Sequence, residues 1–334
     1  MTIGELIIEY GKKDSPYMGN LVNHLPMGQL ALYRLSGNLD LVKDYSDFFK
    51  LKFQINQIKE TADKPDSLKF CLGKRESYES CLMLVRERIM QEGKDKLVSE
   101  VLNQYPLGIS SGLFHVLIRL AYAVEGAGLE EQLEEEVARA LAYYITAYRE
   151  ASVLNRRIPV SDIFNEMNEL AGHKKIKKLL ESQPSTGRQM KALYEDKTFM
   201  EMGFVMEGSE EDKIKGLISL LLPVFNQSSS IVVLHCVTGL HALVNLKKYF
   251  NDFENAFDIY TTCCLAHLLT VEDLTYSKPI EESVSLDWNE MIGQCLSLTD
   301  VHTIKFTYSC HELYQRYGIK GLKKSAHFKM SGKL

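Results

Sequence analysis

The stretch Ile231–Leu246, IVVLHCVTGLHALVNL, constrains this chain more than any other. It is apolar and carries no charge until Lys247, the composition of a helix buried on nearly all sides. Yet it holds two imidazoles, His235 and His241, and the hydroxyl of Thr238. Burying an imidazole without a partner costs free energy. Either each histidine is hydrogen-bonded in the core and does nothing more, or the pair marks a metal site, for which neutral imidazole is the common protein ligand. His235 and His241 are six positions apart, roughly 120° around a regular helix. A straight helix therefore does not readily aim both at one ion. Lys247 and Lys248 mark an outward side, and the opposite side carries His235, Ala242, Leu246 and Tyr249. That wheel leans toward His235 as the inward group, and both stay candidates.

The rest of the composition narrows the class. At 334 residues and 45% apolar, the chain can build a sizeable core. A net charge of -5 makes no general case for a nucleic-acid partner. Seven cysteines without a single CxxC pair read as reduced thiols of a cytoplasmic protein, neither a disulfide framework nor a zinc ribbon. The N-terminal MTIGELIIEYGKKD has acidic residues and no long apolar run, so no signal peptide is expected. The His, Thr and Asn of the organising stretch argue against a membrane span.

Nearly every segment reads as helix. MGQLALYRLS runs to Gly37, and Leu39–Phe53 follows with Leu41, Tyr45, Phe48 and Phe49 apolar. Gln54–Glu76, with Pro65 and Gly73, reads as a loop. Ser77 and Gly93 bracket a helix over Tyr78–Glu92. After a break at Pro106–Gly112, Leu113–Glu125 is helical and is closed by Gly126; Glu130–Ala151 starts acidic and turns apolar. Pro159 and Ser161 open a helix that ends at Gly172, and Gln183–Arg188 is the best candidate boundary. Ser209 caps a helix from Glu210 to about Phe225, Phe253–Leu269 is another, and Pro279 breaks the next connection. Thr299 is the expected N-cap of Asp300–Tyr317, ended by Gly318. Lys320, Lys323, Lys324, Lys329 and Lys333 belong to a frayed basic tail over residues 319–334. No alternating strand run is seen, and no GxGxxG, GxxxxGK[ST], GxSxG or HExxH motif occurs. The expectation is an all-α fold, one multi-helix domain over residues 1–318.

Five of the nine histidines fall in apolar helices or at their mouths. His24 stands before Pro26 in VNHLPMGQLALYRL, and His115 lies in FHVLIRLAYA with Arg119 four residues on. His235 and His241 share the organising helix, and His302 lies in DVHTIKFTYSC with Lys305 three residues on. Spacings of three and four put each of those pairs on one helix face. His173 and His327 sit in basic segments, His267 is alone in its helix, and His311 is on the face opposite His302. These four read as structural or exposed. An exposed or outward-snorkelling Lys305 is the bland reading of that residue.

The segments NHLPMGQLALYRLSG, FHVLIRLAYA, EVARALAYYITAY, LHCVTGLHAL and DVHTIKFTYSC, in that order, resemble the questin oxidase-like family. They span about residues 20 to 315. The resemblance implies an all-helical fold with a buried metal site and oxidative chemistry on aromatic polyketides, typically anthraquinones. The family is described with a Baeyer–Villiger-type, NADPH-dependent step, and relatives are also understood as non-haem iron oxygenases whose metal is held by several histidines and a carboxylated lysine. Carried onto this chain, the resemblance implies His24, His115, one of His235 and His241, His302 and Lys305 as ligands. Arg119 and Tyr122 would orient a phenolate or quinone oxygen, unless Arg119 is spent in a structural salt bridge. Fe is the expected cofactor and NADPH a second; a small aromatic molecule and dioxygen are the expected partners. The chain lacks the Gly-rich phosphate turn that a flavin or nicotinamide site uses, which favours the iron version. An NADPH oxidase without metal and a helical binding protein without chemistry are the alternatives. The short connections between helices put the anthraquinone itself in question.

Overall fold

The fold is all-α in a computed structural model that describes residues 1–19, 21–59, 61, 64–152, 158–278 and 287–332. Among the described residues only two two-stranded ribbons accompany the helices: Tyr17–Met18 antiparallel to Leu21–Val22, and Pro159–Val160 parallel to Val205–Met206. Pro279 and Lys333 lie outside the described residues. Among those described, no helix is long and apolar enough to cross a membrane. All seven cysteines are buried and free.

The chain divides into two compact units. The first comprises Met1–Arg149, His241–Asn251 and Leu286–Tyr308. Its centre is the helix Glu134–Thr146, which packs against His115–Leu129 and Tyr78–Glu92. Three glutamates in its first turn suit the positive N-terminal end, and everything from Glu136 to Thr146 is buried. In His115–Leu129, Val116, Leu117, Ile118 and Leu120 are wholly buried, so truncating any one to Ala costs about 2–5 kcal/mol. This helix does not stop at Gly126 but runs through it to Leu129. The glycine serves packing instead: a Cβ there would stand 3.0 Å from Leu133 Cδ1 and 3.6 Å from Leu30 Cδ2. The expected loop Gln54–Glu76 also contains structure, a helical turn at Leu68–Cys71 whose Leu68 and Cys71 are buried. An i, i+3 apolar pair is enough to pin one turn.

Leu25–Ser36 packs on Leu39–Lys52 and on His115–Leu129. Gly37 ends it in the left-handed region at φ 63°, as a glycine at that position does. Gly28 allows the close approach of the two helices, because a Cβ there would run into the Tyr45 ring and hydroxyl. Gly28→Ala is therefore expected to destabilise the protein by about 1–3 kcal/mol, the usual cost of overpacking a well-filled contact. Unfolding in urea checks it, and an unchanged midpoint would mean that the contact gives way freely.

The second unit comprises Glu150–Leu240, Asp252–Ser285 and Ser309–Leu334. The division falls at Arg149/Glu150, not at Gln183–Arg188, where the helix Thr186–Glu195 already begins. Ile176 on one side of that connector and Met190 and Leu193 on the other are buried, so both flanks belong to one core. Glu210–Ser228 starts with the expected Ser209 cap, reinforced by a capping box with Asp212. The basic tail is not frayed: Lys320–Met330 is a helix with Leu322, Ser325 and Ala326 buried. Those positions are i, i+3 and i+4, one buried stripe, and the helix packs on Glu210–Ser228 with Phe328 edge-on to Phe225 at 6.1 Å.

Candidate metal centre

His24 hangs at the end of a loop that is held at nearly every polar atom. Asn23 donates its amide to Pro16 O (2.8 Å) and its side-chain nitrogen to Ser15 O (3.2 Å), and it accepts from the Leu25 amide (3.0 Å). Its carbonyl accepts from Arg119 Nη1 at 3.2 Å. Leu25 then starts the helix, with Pro26 in its first turn, where a missing N–H costs nothing. In this frame His24 Nδ1 donates to Val22 O at 2.6 Å.

His115 is placed by an unusual backbone. Gly112, Leu113 and Phe114 all lie in the left-handed region, at φ 59°, 58° and 62°, which costs roughly 1–2 kcal/mol for each residue that is not glycine. The result brings Gly112 O within 2.5 Å of His115 Nδ1, which donates to it. A carbonyl only accepts, so the proton of each ring is committed to Nδ1, and each Nε2 presents a lone pair. Those two Nε2 atoms face each other 2.8 Å apart. Two lone pairs at that distance repel unless a positive charge, a proton or a cation, lies between them.

His302 enters from the first turn of Val301–Tyr317, its ring 4.9 Å from that of His24. Asp300, not Thr299, caps this helix, accepting from the His302 amide (3.3 Å) and the Thr303 amide (3.1 Å). The same carboxylate stands 3.6 Å from His302 Nδ1. On Ile231–Asn245, His235 Nδ1 donates to Ile231 O at 2.7 Å, again leaving Nε2 for another partner. Ligand atoms of His24, His115, His235 and His302 all lie within 4.8 Å of one another, so the four are close enough to hold one metal ion. Three are buried, and His302 keeps 27% of its side chain exposed. Protons fixed on Nδ1 by backbone carbonyls are the arrangement that orients metal-binding imidazoles.

His241 is not in this group. It accepts from Asn245 Nδ2 at 3.0 Å and stands edge-on to Tyr308, 5.4 Å between ring centres. The wheel leaned toward His235 as the inward residue, but both rings are buried; only His235 joins the group, because six residues of helix turn the pair apart. His173, His267, His311 and His327 do not join the group either. Lys305 is not the snorkelling surface lysine of the bland reading: its side chain is wholly buried and its Nζ has no hydrogen-bond partner. Burial pulls its ammonium down to about 7, against a weaker opposing effect of Asp300. Burial, and after it the nearby Lys305 charge, holds His115 down to about 3. Burial thus disfavours a protonated His115, and the two facing lone pairs suit a cation.

Arg119 and Tyr122 line a small cavity in the first unit. The Arg119 guanidinium is 2% exposed and is engaged by Glu136, Nη2 to Oε2 3.0 Å, as well as by Asn23 O. It therefore supports the His24 loop through a buried ion pair. Tyr122 is buried and packs 5.9 Å from Tyr308. Sequence reasoning did not find the Val22, Gly112 and Ile231 carbonyls, since main-chain acceptors leave no side-chain signal. Gly112 alone hinted at a special backbone, and Asp300 two residues before His302 hinted at an orienting carboxylate.

The buried histidines predict acid lability. His115 and His267 are held down to about 3 and about 4 by burial, whereas an unfolded imidazole titrates near ~6.5. The unfolded chain binds more protons between those values, so stability is full above ~6.5 and falls as the pH drops toward 4. Urea midpoints at pH 7 and pH 5 test this, and His267→Phe should shrink the difference between them. An unchanged difference would contradict the assignment.

Comparison with protein-family models finds no match to this chain, and comparison with curated proteins finds none.

Proposed function

We propose that this chain is a metal-dependent oxidoreductase of the questin oxidase-like type, with a non-haem ferrous ion held by His24, His115, His235 and His302. The observation that carries the reading is the 2.8 Å separation of the His24 and His115 Nε2 atoms, with both Nδ1 protons committed to carbonyls. The four imidazoles offer neutral nitrogen ligands of the kind that iron accepts.

Lys305 supplies the anionic partner. Burial pulls its ammonium down to about 7, and its buried Nζ has no hydrogen-bond partner. Its nitrogen lone pair adds to the carbon of CO2, forming an N–C bond; one N–H proton leaves to solvent, and an anionic carbamate oxygen results. One helical turn places Lys305 on the face of His302. A bound ferrous ion would supply dioxygen activation, leaving the polypeptide to position and exclude. Val22, Gly112 and Ile231 carbonyls hold three rings in one tautomer, the Arg119–Glu136 pair steadies the His24 loop, and apolar helices keep water from the buried rings. His302 is the most exposed of the four, so a bulky aromatic or quinone-like substrate would approach from its side.

Metal analysis of the full chain, purified without chelator, tests the reading. One iron per chain is expected, with oxygen uptake on adding a hydroxylated anthraquinone. Running the uptake with and without NADPH separates turnover on substrate alone from a need for an external electron donor. Aromatic binding at normal affinity by a chain that holds no metal would make this a binding protein instead.

A further inference from the structure

We infer that Tyr308 is a redox-active tyrosine that gives one electron to the metal centre and its phenolic proton to Glu125, an inference that rests on the oxygenase reading. Tyr308 is 1% exposed, and its hydroxyl donates to Glu125 Oε1. The same hydroxyl accepts from Arg34 Nε at 3.3 Å, and that guanidinium pairs with Glu125 Oε1 at 2.8 Å. A phenol loses an electron readily only if its proton leaves with it, because the phenol radical cation is a very strong acid. A carboxylate that already accepts the phenol's hydrogen bond takes that proton without rearrangement. Glu125 and Arg34 keep 19% and 37% of their side chains exposed, so the proton has a route to solvent while the ring itself stays buried.

Position links this group to the centre. The helices that present His24, His115 and His302 meet again here: Arg34 is ten residues after His24, Glu125 ten after His115 and Tyr308 six after His302. At 1.5 Å per residue, Tyr308 stands roughly 9 Å along its helix from His302. An electron crosses such a gap by tunnelling, so the phenol need not touch an imidazole. Tyr122 stands 5.9 Å from the Tyr308 ring and His241 lies edge-on to it at 5.4 Å, two rings that help to shield a radical. All these residues belong to the first unit. The step balances as follows. The Tyr308 O–H bond breaks, one electron passes to the metal centre once dioxygen has oxidised it, the proton goes to Glu125, and a neutral phenoxyl radical stays on Tyr308. The centre thereby gains an electron when no aromatic substrate is bound to supply one.

The experiment mixes the iron-loaded full chain with dioxygen and no aromatic substrate, freezes it and reads electron paramagnetic resonance. A tyrosyl signal is expected, recognised by the change in its hyperfine pattern when the chain is made with deuterated tyrosine. Tyr308→Phe should abolish it with iron content unchanged, since Phe keeps the ring and leaves the Arg34–Glu125 pair. Glu125→Gln should abolish it with Tyr308 in place, and heavy water should slow its formation in the wild type; a purely structural phenol gives neither result. Tyr122→Phe should keep the signal. A signal that survives in Tyr308→Phe, or none in the iron-loaded wild type, overturns the inference. Photo-oxidation of the metal-free chain by a ruthenium polypyridyl complex with persulfate separates the two readings. A Tyr308 signal there, in a chain that binds no iron, supports the redox tyrosine and refutes the oxygenase reading; an iron-loaded chain without the signal under dioxygen refutes the tyrosine alone.

Discussion

His115→Ala is expected to abolish stoichiometric metal binding, while His173→Ala should leave it intact. The expectation follows from what each ring does. His115 Nε2 faces His24 Nε2 at 2.8 Å in a group of four imidazoles, whereas His173 only follows the helix Ile163–Gly172 and lies outside the group. Even the partners that merely orient a ligand are worth about 10–100-fold in metal affinity, so removing a ligand outright should cost at least about 100-fold. Iron content after dialysis, with a circular dichroism spectrum to establish the fold, reads the result. Equal iron in the two variants would remove His115 from the ligand set. The same measurement on His241→Ala should match wild type, since that ring is engaged by Asn245 and Tyr308.

Lys305 should govern how the metal-free chain responds to alkali. Its folded value is pulled from 10.5 down to about 7. Between those two the unfolded chain carries the proton and the folded chain does not, so stability rises with pH from about 7 toward 10.5. Below about 7 the ammonium is buried and charged, and the full penalty is present. Each pK unit is worth ~1.4 kcal/mol, so the rise is on the order of a few kcal/mol. Lys305→Met should flatten it and make the metal-free chain more stable at pH 7, because an apolar side chain of similar length needs no hydrogen bond. Guanidinium unfolding at pH 7 and pH 9.5, with chelator present, measures both slopes, and parallel slopes in the two proteins would refute the assignment. With iron bound, Lys305→Arg cannot form a carbamate and should lose activity, while Lys305→Ala should recover part of it with added short-chain carboxylates. Full activity in Lys305→Arg would return the site to imidazoles alone.

The organising helix shows how far the sequence carries the fold. An unbroken apolar run with no charge before Lys247 can only be buried, and Ile231–Asn245 is a helix in a core. Caps and stops written in single residues, Gly37, Gly93, Ser209 and Gly318, fall where the helices begin and end. Local rules fail where packing outvotes them. Gly126 looks like a stop, yet it sits inside a helix because Leu133 and Leu30 need the space of its absent side chain. The lysines near the C-terminus look like a solvated tail, yet Leu322 and Ala326 hold the segment to a helix.

Residue type and helical spacing by themselves determined an all-α chain and a short set of candidate imidazoles, because periodicity and burial cost are local properties of the chain. Only the tertiary structure decided which of them meet. His24 and His115 are 91 positions apart and touch, while His235 and His241, six apart on one helix, part company. It also decided their tautomers. The proton on each Nδ1 is set by a main-chain carbonyl, Val22, Gly112 or Ile231, and a carbonyl's position depends on backbone dihedrals such as the left-handed turn before His115, which a list of side chains does not encode.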